Sequence, residues 1–294
     1  MIKYEWRTEL STDEADELAD MLRRATEFDA EPEYSTIDFA DVYRTLGTPR
    51  VRHLVIWMLP HATEMGEPDQ PERIAGLLRL TLSAADSAEA TIVIDPRLRS
   101  IGITTLLLER IGLDTGTPDG WAGTGVRTVA AWARGNHPAA GRLSNRFLIP
   151  RHRRLWKLIR STDEEVTTAA DLEPGGGSVL DDVGWAPTVN GVAEAYVLRE
   201  NGGITGAVSL DPSPSHSEEF GRCATVQWVA VAPSSAPSLR RQLLTGAASA
   251  AHDQGFTGLI CHVDSDDAVL VNACRLSDFQ HDRTDVYFQL GGHP

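Results

Sequence analysis

Apolar positions recur along this chain in two periods, and the changes of period mark out its elements. Ser11-Thr-Asp-Glu14 opens a helix with a capping box, and Leu18, Met21, Leu22 and Ala25 form its apolar stripe. An acidic, Pro-containing loop, Asp29 to Ser35, leads to a second helix over Ile37 to Leu46, stopped by Gly47 and Pro49. Two strands follow, Arg52 to Leu59 and Ile74 to Leu82, separated by the polar loop His61 to Glu72. Thr91 to Ile94 is a β-branched run that passes through Asp95-Pro96 into a helix carrying Ile103, Leu107 and Ile111 on one side. After the Gly-rich loop Gly112 to Gly125, Val126 to Ala133 reads as a buried strand. Asn136 caps a helix with Pro138 in its first turn, and Arg151 to Arg160 alternates as a half-buried strand.

Ser161 to Ser178, with Asp163-Glu-Glu165 and Pro174-Gly-Gly-Gly177, has little to bury and reads as a linker. The first half is then replayed. Strands are expected over Val192 to Arg199, Gly203 to Leu210, Ala224 to Val231, Gly258 to Val263 and Phe279 to Leu290. Asp211 to Glu219 reads as a Pro/Ser loop, and helices over Ser238 to Gln254 and Asp266 to Ser277, the latter capped by Asp266. The order β-β-loop-β-α-β-α-β occurs twice, the second time without the two opening helices. The pattern predicts an α/β chain of two tandem domains of similar fold, 1–160 and 192–294, joined by 161–191.

The chemistry centres on the strand-to-helix segment from Thr91 to Arg110. Amides in the first turn of a helix lack intrahelical partners, and the peptide dipoles place partial positive charge there. Gly102 allows a ligand to approach the backbone, and Arg97 and Arg99 add charge for a phosphate. Net charge changes the picture only by exclusion. With 42 acidic and 27 basic residues the formal charge is −15, which argues against a general nucleic-acid or anionic-membrane surface but not against a local anion site. Cys223, Cys261 and Cys274 have no metal spacing, and a sparse, odd count of 3 points to reduced thiols in the cytoplasm. The N-terminus has no signal-peptide core, no apolar run is long enough to span a membrane, and nothing requires a metal.

Asp95-Pro-Arg-Leu-Arg-Ser-Ile-Gly-Ile-Thr104 resembles the acyl-CoA diphosphate loop of GNAT acetyltransferases, with Ser100 where their first glycine stands. Trp6-Arg7, Phe28-Asp29, Val93-Ile94-Asp95-Pro96 and above all Trp132-Ala-Arg-Gly-Asn-His-Pro-Ala-Ala140 resemble the mycothiol synthases, a family of tandem GNAT enzymes. Trp228-Val-Ala-Val-Ala-Pro233 and Val263-Asp-Ser-Asp-Asp267 extend that resemblance into the second half. It implies acetyl-CoA as acyl donor and the cysteinyl amine of Cys-GlcN-Ins as acceptor, in a cytoplasmic monomer. By the same resemblance Val93, Ile94, Asp95, Arg99, Ser100, Ile101, Gly102, Ile103 and Thr104 bind coenzyme A in the first half. Val229, Ala230, Val231, Arg240 and Arg241 are their second-half counterparts, and Thr36 and Asp38 occupy the substrate-contact region.

The chain departs from that family in its second half. The family's general-base Glu falls on Thr225, its general-acid Tyr on Cys274, and its Arg-Arg-Gly-x-Gly loop on Pro237 to Arg241, without glycine. Amine acetylation needs a route for the ammonium proton and a donor to the thioester oxygen. Glu89, on the same strand face as Thr91, is the candidate base of the first half. Two alternatives to the mycothiol activity therefore stand beside it: a non-catalytic acyl-CoA-binding protein, and an acetyltransferase of other specificity.

Overall fold

The computed structural model describes residues 1–59, 72–84, 86–163, 170–175, 180, 183–187, 193–233 and 235–292. The expected polar loop after the second strand and most of the linker lie outside them. The chain divides into two compact units, Met1–Arg153 with Asp285–Pro294, and Arg154–Thr284.

The first unit begins with a strand that the apolar pattern does not announce, β1 (Ile2–Arg7), antiparallel to β2 (Val51–Met58). Between them α1 (Thr12–Asp29) carries the complete capping box, with Glu14 N–H donating to the Ser11 hydroxyl and the Ser11 amide to the Glu14 carboxylate. The short α2 (Phe39–Thr45) is capped by Asp38, whose carboxylate accepts from the Ala40 amide. β3 (Arg73–Leu82) and β4 (Ser87–Ile94) continue the antiparallel meander, and β5 (Thr128–Ala133) lies parallel to β4. α3 (Ile103–Ile111) provides the crossover from β4 to β5.

Strand alternation assigns the two faces. Leu54, Ile56, Ala88 and Val129 pack with Ile103 and Leu107 of α3 and with Trp121. Val55, Trp57, Leu77 and Val93 pack with Leu18, Met21, Leu22 and Ala25 of α1 and Val42 of α2. α4 (Pro138–Phe147) follows β5. Its cap is His137, whose Nδ1 accepts from the Ala139 amide, and the expected cap Asn136 instead turns the chain at φ +50°.

From Glu194 onward the second unit repeats the plan of the first. β8 (Glu194–Glu200), β9 (Gly203–Ser217) and β10 (Gly221–Val231) form an antiparallel meander, with the two-residue β7 (Glu173–Pro174) against β8. β11 (Gly258–Asp264) is parallel to β10. α5 (Ser238–Asp253) makes the crossover and α6 (Ala268–Arg275) follows β11. Leu239, Leu243, Leu244, Ala247 and Ala251 of α5 pack on Val208, Leu210, Ala224, Val226 and Leu259.

Two expectations are corrected here. Residues 211–217 are strand, not loop. Pro212 and Pro214 fall where the ladder jumps from the Thr225–Asp211 pair to the Cys223–Ser215 pair, an irregularity that accommodates residues without ladder hydrogen bonds. The cap of α6 is Asp267, which accepts from the Leu270 amide, and not Asp266.

The ends of the two halves are exchanged. β6 (Arg151–Ser161) pairs through Leu155–Ser161 with β11 of the second unit. β12 (Gln280–Gly291) pairs through Val286–Gly291 with β5 of the first unit. The units therefore differ from the sequence-based segments 1–160, 161–191 and 192–294, since each takes its final strand from the other half of the chain.

His53 is a polar group buried in the first unit, 1 % exposed, with its Nε2 3.4 Å from the Thr45 hydroxyl. Its Nδ1 has no partner, and burial, then the charge of Arg79, lowers its pKa to about 4. The folded state thus holds the neutral ring, while the unfolded chain takes up a proton near pH 6.5. Stability from this group is complete above about pH 6.5 and is lost as pH falls toward 4, by up to roughly 3 kcal/mol. Urea unfolding from pH 7 to pH 4 should show that slope, and His53→Gln should flatten it.

Candidate functional site

In both units the parallel strand pair separates partway along its length. β4 and β5 pair only from Ser87–Thr128 to Ala90–Ala131, yet β4 runs on to Ile94 and β5 to Ala133. β10 and β11 pair only from Cys223–Gly258 to Val226–Cys261, yet run on to Val231 and Asp264. The separation opens a slot walled by backbone that is no longer bonded across the sheet.

Alternation says which groups face the slots. The Asp95 amide donates to Ala75 in β3, so Val93 and Asp95 bond toward β3 while Ile92 and Ile94 face the slot. The Ala232 amide donates to Thr205 in β9, so Val229 and Val231 face the second slot. A pantetheine arm, which carries amides of its own, could add to such an edge as a strand does.

Each slot leads to a helix N-terminus. Gly102 is the N-cap of α3 at φ +87°, has no side-chain cap, and a Cβ there would meet nothing within 4 Å. The first α3 amides therefore have neither intrahelical nor side-chain partners at their open end. Ser100, Ile101 and Gly102 are exposed, Thr104 is half-buried and Ile103 is buried in the core. In the second unit Pro237 is the N-cap of α5, again without a side-chain cap. Arg240 is half-buried and Arg241 exposed, and neither guanidinium has a partner among the described residues.

The arginines of the first loop are placed differently from one another. Arg99 grips Asp29 with both ends of its fork, Nη1 to Oδ1 at 2.6 Å and Nη2 to Oδ2 at 2.7 Å, and its Nε donates to the Ile94 carbonyl at 3.1 Å. Asp29 is 2 % exposed. Asp95 is likewise engaged within the fold: it accepts from Arg24 at 2.7 Å and caps the turn through the Arg97 amide. The exposed Arg97 side chain lines a shallow pocket with Arg24, Glu27, Phe28, Asp95 and Pro96.

In the sequence Asp29 stands out only as the start of an acidic loop and as half of the pair Phe28-Asp29, with no role assigned to it. A usable signal existed, because a carboxylate on the last residue of a helix opposes the macrodipole and calls for a cation. The same junction gathers His137, whose ring lies 4.3 Å from that of Tyr34. Burial, then the Arg99 charge, lowers the His137 pKa, which keeps the ring neutral and able to accept at Nδ1. Gly135 is required there, since a Cβ would lie 2.7 Å from the Pro32 carbonyl.

On the face covered by α1 and α2, Glu89 is exposed and lies one residue before the β4–β5 pairing ends. Thr91, Trp132 and Tyr287 continue that face at half exposure, with the Trp132 and Tyr287 rings 4.8 Å apart. Tyr287 reaches this unit only through the exchange of final strands. Thr36 is exposed just ahead of α2, and Asp38 is occupied in capping it.

In the second unit the family-aligned positions separate. Thr225 is half-buried on β10, on the sheet face away from α5. Cys274 is 0 % exposed in the α5–α6 core and hydrogen-bonded with Cys261, whose thiol pKa is raised by that bond and by burial. A thiol so enclosed is packing, and cannot reach a thiolate in the slot. One feature expected of an acyl-transfer site occurs in this unit alone of the two central strands: the β10 ladder slips between Val226 and Trp228, leaving Gln227 as a bulge where the slot begins. The β3–β4 ladder of the first unit is regular.

Splayed parallel strands, an uncapped crossover helix at each slot and the doubled plan define a tandem GNAT fold, and solved structures agree. The chain is similar in fold to a GCN5-related N-acetyltransferase from Sphaerobacter thermophilus (TM-score 0.57, 14 % identity, covering 99 % of this chain and 96 % of that one). It is equally similar to a tandem GNAT protein from the clavulanic acid biosynthesis pathway (TM-score 0.57, 14 % identity, 100 % and 99 % covered). A GNAT-family acetyltransferase from Colwellia psychrerythraea gives a TM-score of 0.54 at 14 % identity, with 99 % of each chain covered. No protein-family model and no curated protein sequence matches the chain. Among the described residues there is no group of His, Cys, Asp and Glu placed to hold a metal ion, and no helix long and apolar enough to cross a membrane.

Proposed function

We propose that the protein is an acetyl-CoA-dependent N-acetyltransferase. The observation that carries this reading is the pairing limit of the parallel strands, Ser87–Ala90 with Thr128–Ala131, which opens a slot leading to the uncapped N-terminus of α3. The slot takes the pantetheine arm by backbone hydrogen bonds, and the α3 amides take the diphosphate. Among the described residues the Arg97 side chain has no partner near that seat in the first unit, and neither do Arg240 and Arg241 in the second, so these supply its cations. The Gln227 bulge favours the second unit as the place of acyl transfer, since a bulge frees an amide to donate to the thioester oxygen.

The acceptor is an amine, which the fold likeness to N-acetyltransferases supports. The finer reading, the cysteinyl amine of Cys-GlcN-Ins, rests on the resemblance of Trp132 to Ala140 and on the tandem plan. Against it stand Thr225 and the enclosed Cys274, and these favour an acetyltransferase of other specificity as the second reading.

Calorimetry with coenzyme A is the first test, and binding with a rise in melting temperature is expected. Neither heat nor a rise at saturating coenzyme A would overturn the reading. Thiol release from acetyl-CoA, with Cys-GlcN-Ins compared against other primary amines, then decides between the two acceptor readings.

A further inference from the structure

The position that carries the base in the resembling family holds Thr225, so the second slot has no carboxylate of its own on β10. The neighbouring strand has one. Asp211 of β9 is the direct cross-strand partner of Thr225 and therefore shares its sheet face. That pair stands at the level where β10 and β11 are about to part, since Thr225 still pairs with Ile260 and the ladder ends at Val226–Cys261. The bulge residue Gln227 confirms the direction of the carboxylate, because its Nε2 donates to Asp211 Oδ2 at 3.1 Å.

Asp211 is oriented by an Asx turn and by the bulge residue. Oδ1 accepts from the Ser213 amide at 2.8 Å and Oδ2 from Gln227, and both donors are neutral. No cationic side chain pairs with Asp211 among the described residues. Its pKa is lowered, chiefly by the hydrogen bonds from Ser213, so it carries its charge through the neutral range. By contrast Lys157, on the other side of the slot, is already paired with Asp282 at 3.1 Å. The result is an oriented anion with lone pairs to spare and no counter-ion, next to the bulge.

We propose that Asp211 is the seat of the acceptor's ammonium group in the second unit, standing in from the adjacent strand for the carboxylate that Thr225 lacks. This inference rests on the acetyltransferase reading above. The ammonium held there loses one proton to water, and its freed lone pair forms the N–C bond to the thioester carbonyl carbon. The C–S bond breaks with its electron pair on sulphur. The proton left in excess on nitrogen passes through solvent to the thiolate, giving the thiol. The balance is one amide, one free thiol and one proton released per turnover. The substrate class follows: a primary amine that arrives protonated.

Asp211→Asn is the test, since it keeps the shape and the contact from the Ser213 amide while removing the charge; the Gln227 side-chain amide has to turn so that its Oε1 accepts from the new NH2. Coenzyme A affinity and melting temperature should match the wild type. The kcat/KM for Cys-GlcN-Ins should fall roughly 10- to 100-fold, the worth of one charge-assisted contact, and Asp211→Glu should recover part of it. Calorimetric titration of Cys-GlcN-Ins onto protein saturated with coenzyme A gives a second readout, in which wild type binds and Asp211→Asn does not. Equal kcat/KM or equal amine binding overturns the proposal; a wild type that does not bind Cys-GlcN-Ins overturns that acceptor, and the same comparison, with the same two overturning results, is then made on the primary amine that releases thiol fastest. Failure of coenzyme A to bind at all is a separate outcome, and it overturns the acetyltransferase reading and this inference with it.

Discussion

Arg99→Ala is expected to lower the unfolding free energy by about 3 kcal/mol, the low end of the cost of removing one partner from a buried ion pair. The guanidinium is held at three points, by both Asp29 oxygens and by the Ile94 carbonyl. Its loss strands a carboxylate that is 2 % exposed. Most of the penalty is the uncompensated charge, not the lost attraction, so the double variant Asp29→Asn with Arg99→Ala should be more stable than Arg99→Ala alone. Urea unfolding measures both. The competing role is phosphate binding. If Arg99→Ala costs under about 1 kcal/mol, the exposed-pair range, and instead weakens coenzyme A, the ion pair yields to the ligand and Arg99 belongs to the binding site.

Gly102→Asp should weaken coenzyme A at the first unit's slot roughly 100-fold, by setting a carboxylate where the diphosphate is expected, in competition for the same amides. The change can be made without a clash, because a Cβ at this position meets nothing within 4 Å. Its backbone at φ +87° costs an L residue about 1 kcal/mol. A negative charge at a helix N-terminus returns roughly 0.3–1 kcal/mol of that. Folding should thus be nearly preserved while binding is lost. Gly102→Ala carries the strain without the charge and serves as the control. Calorimetry that finds Gly102→Asp and wild type alike would place the diphosphate elsewhere.

Much of the first unit is legible residue by residue because its signals are local. The Ser11–Glu14 capping box, the stripe from Leu18 to Ala25 and the Ile103–Ile111 helix each depend on spacings of three or four residues, and each forms as read. Asp95-Pro96 and Gly102 mark the turn from β4 into α3 for the same reason. Prolines mislead in β9, where Pro212 and Pro214 suggest a loop but sit in a ladder irregularity that tolerates them. Of the candidate residues, Gly102 and Thr104 lie at the open helix end as the segment implies. Arg99 and Asp95 are charges whose use depends on partners the local pattern does not contain. Cys274 could be aligned to a catalytic position, yet its burial at 0 % is a property of the α5–α6 packing.

Strand existence and strand partnership separate in the same way. Alternation in 151–160 and 279–290 announces strands, but nothing local says that the end of β12 completes the first unit and β6 the second. Taken alone, then, the order of residues determined the repeated α/β plan, the Ser11–Glu14 capping box and the strand–loop–helix segment from Thr91 to Arg110, because periodicity and capping act within a few residues. Tertiary structure decided where the parallel strands part, which arginines are bound to carboxylates, and that Asp211 stands opposite Thr225. Those depend on register and burial between segments far apart in the chain, where the energy of a contact exists only after the chain has folded around it.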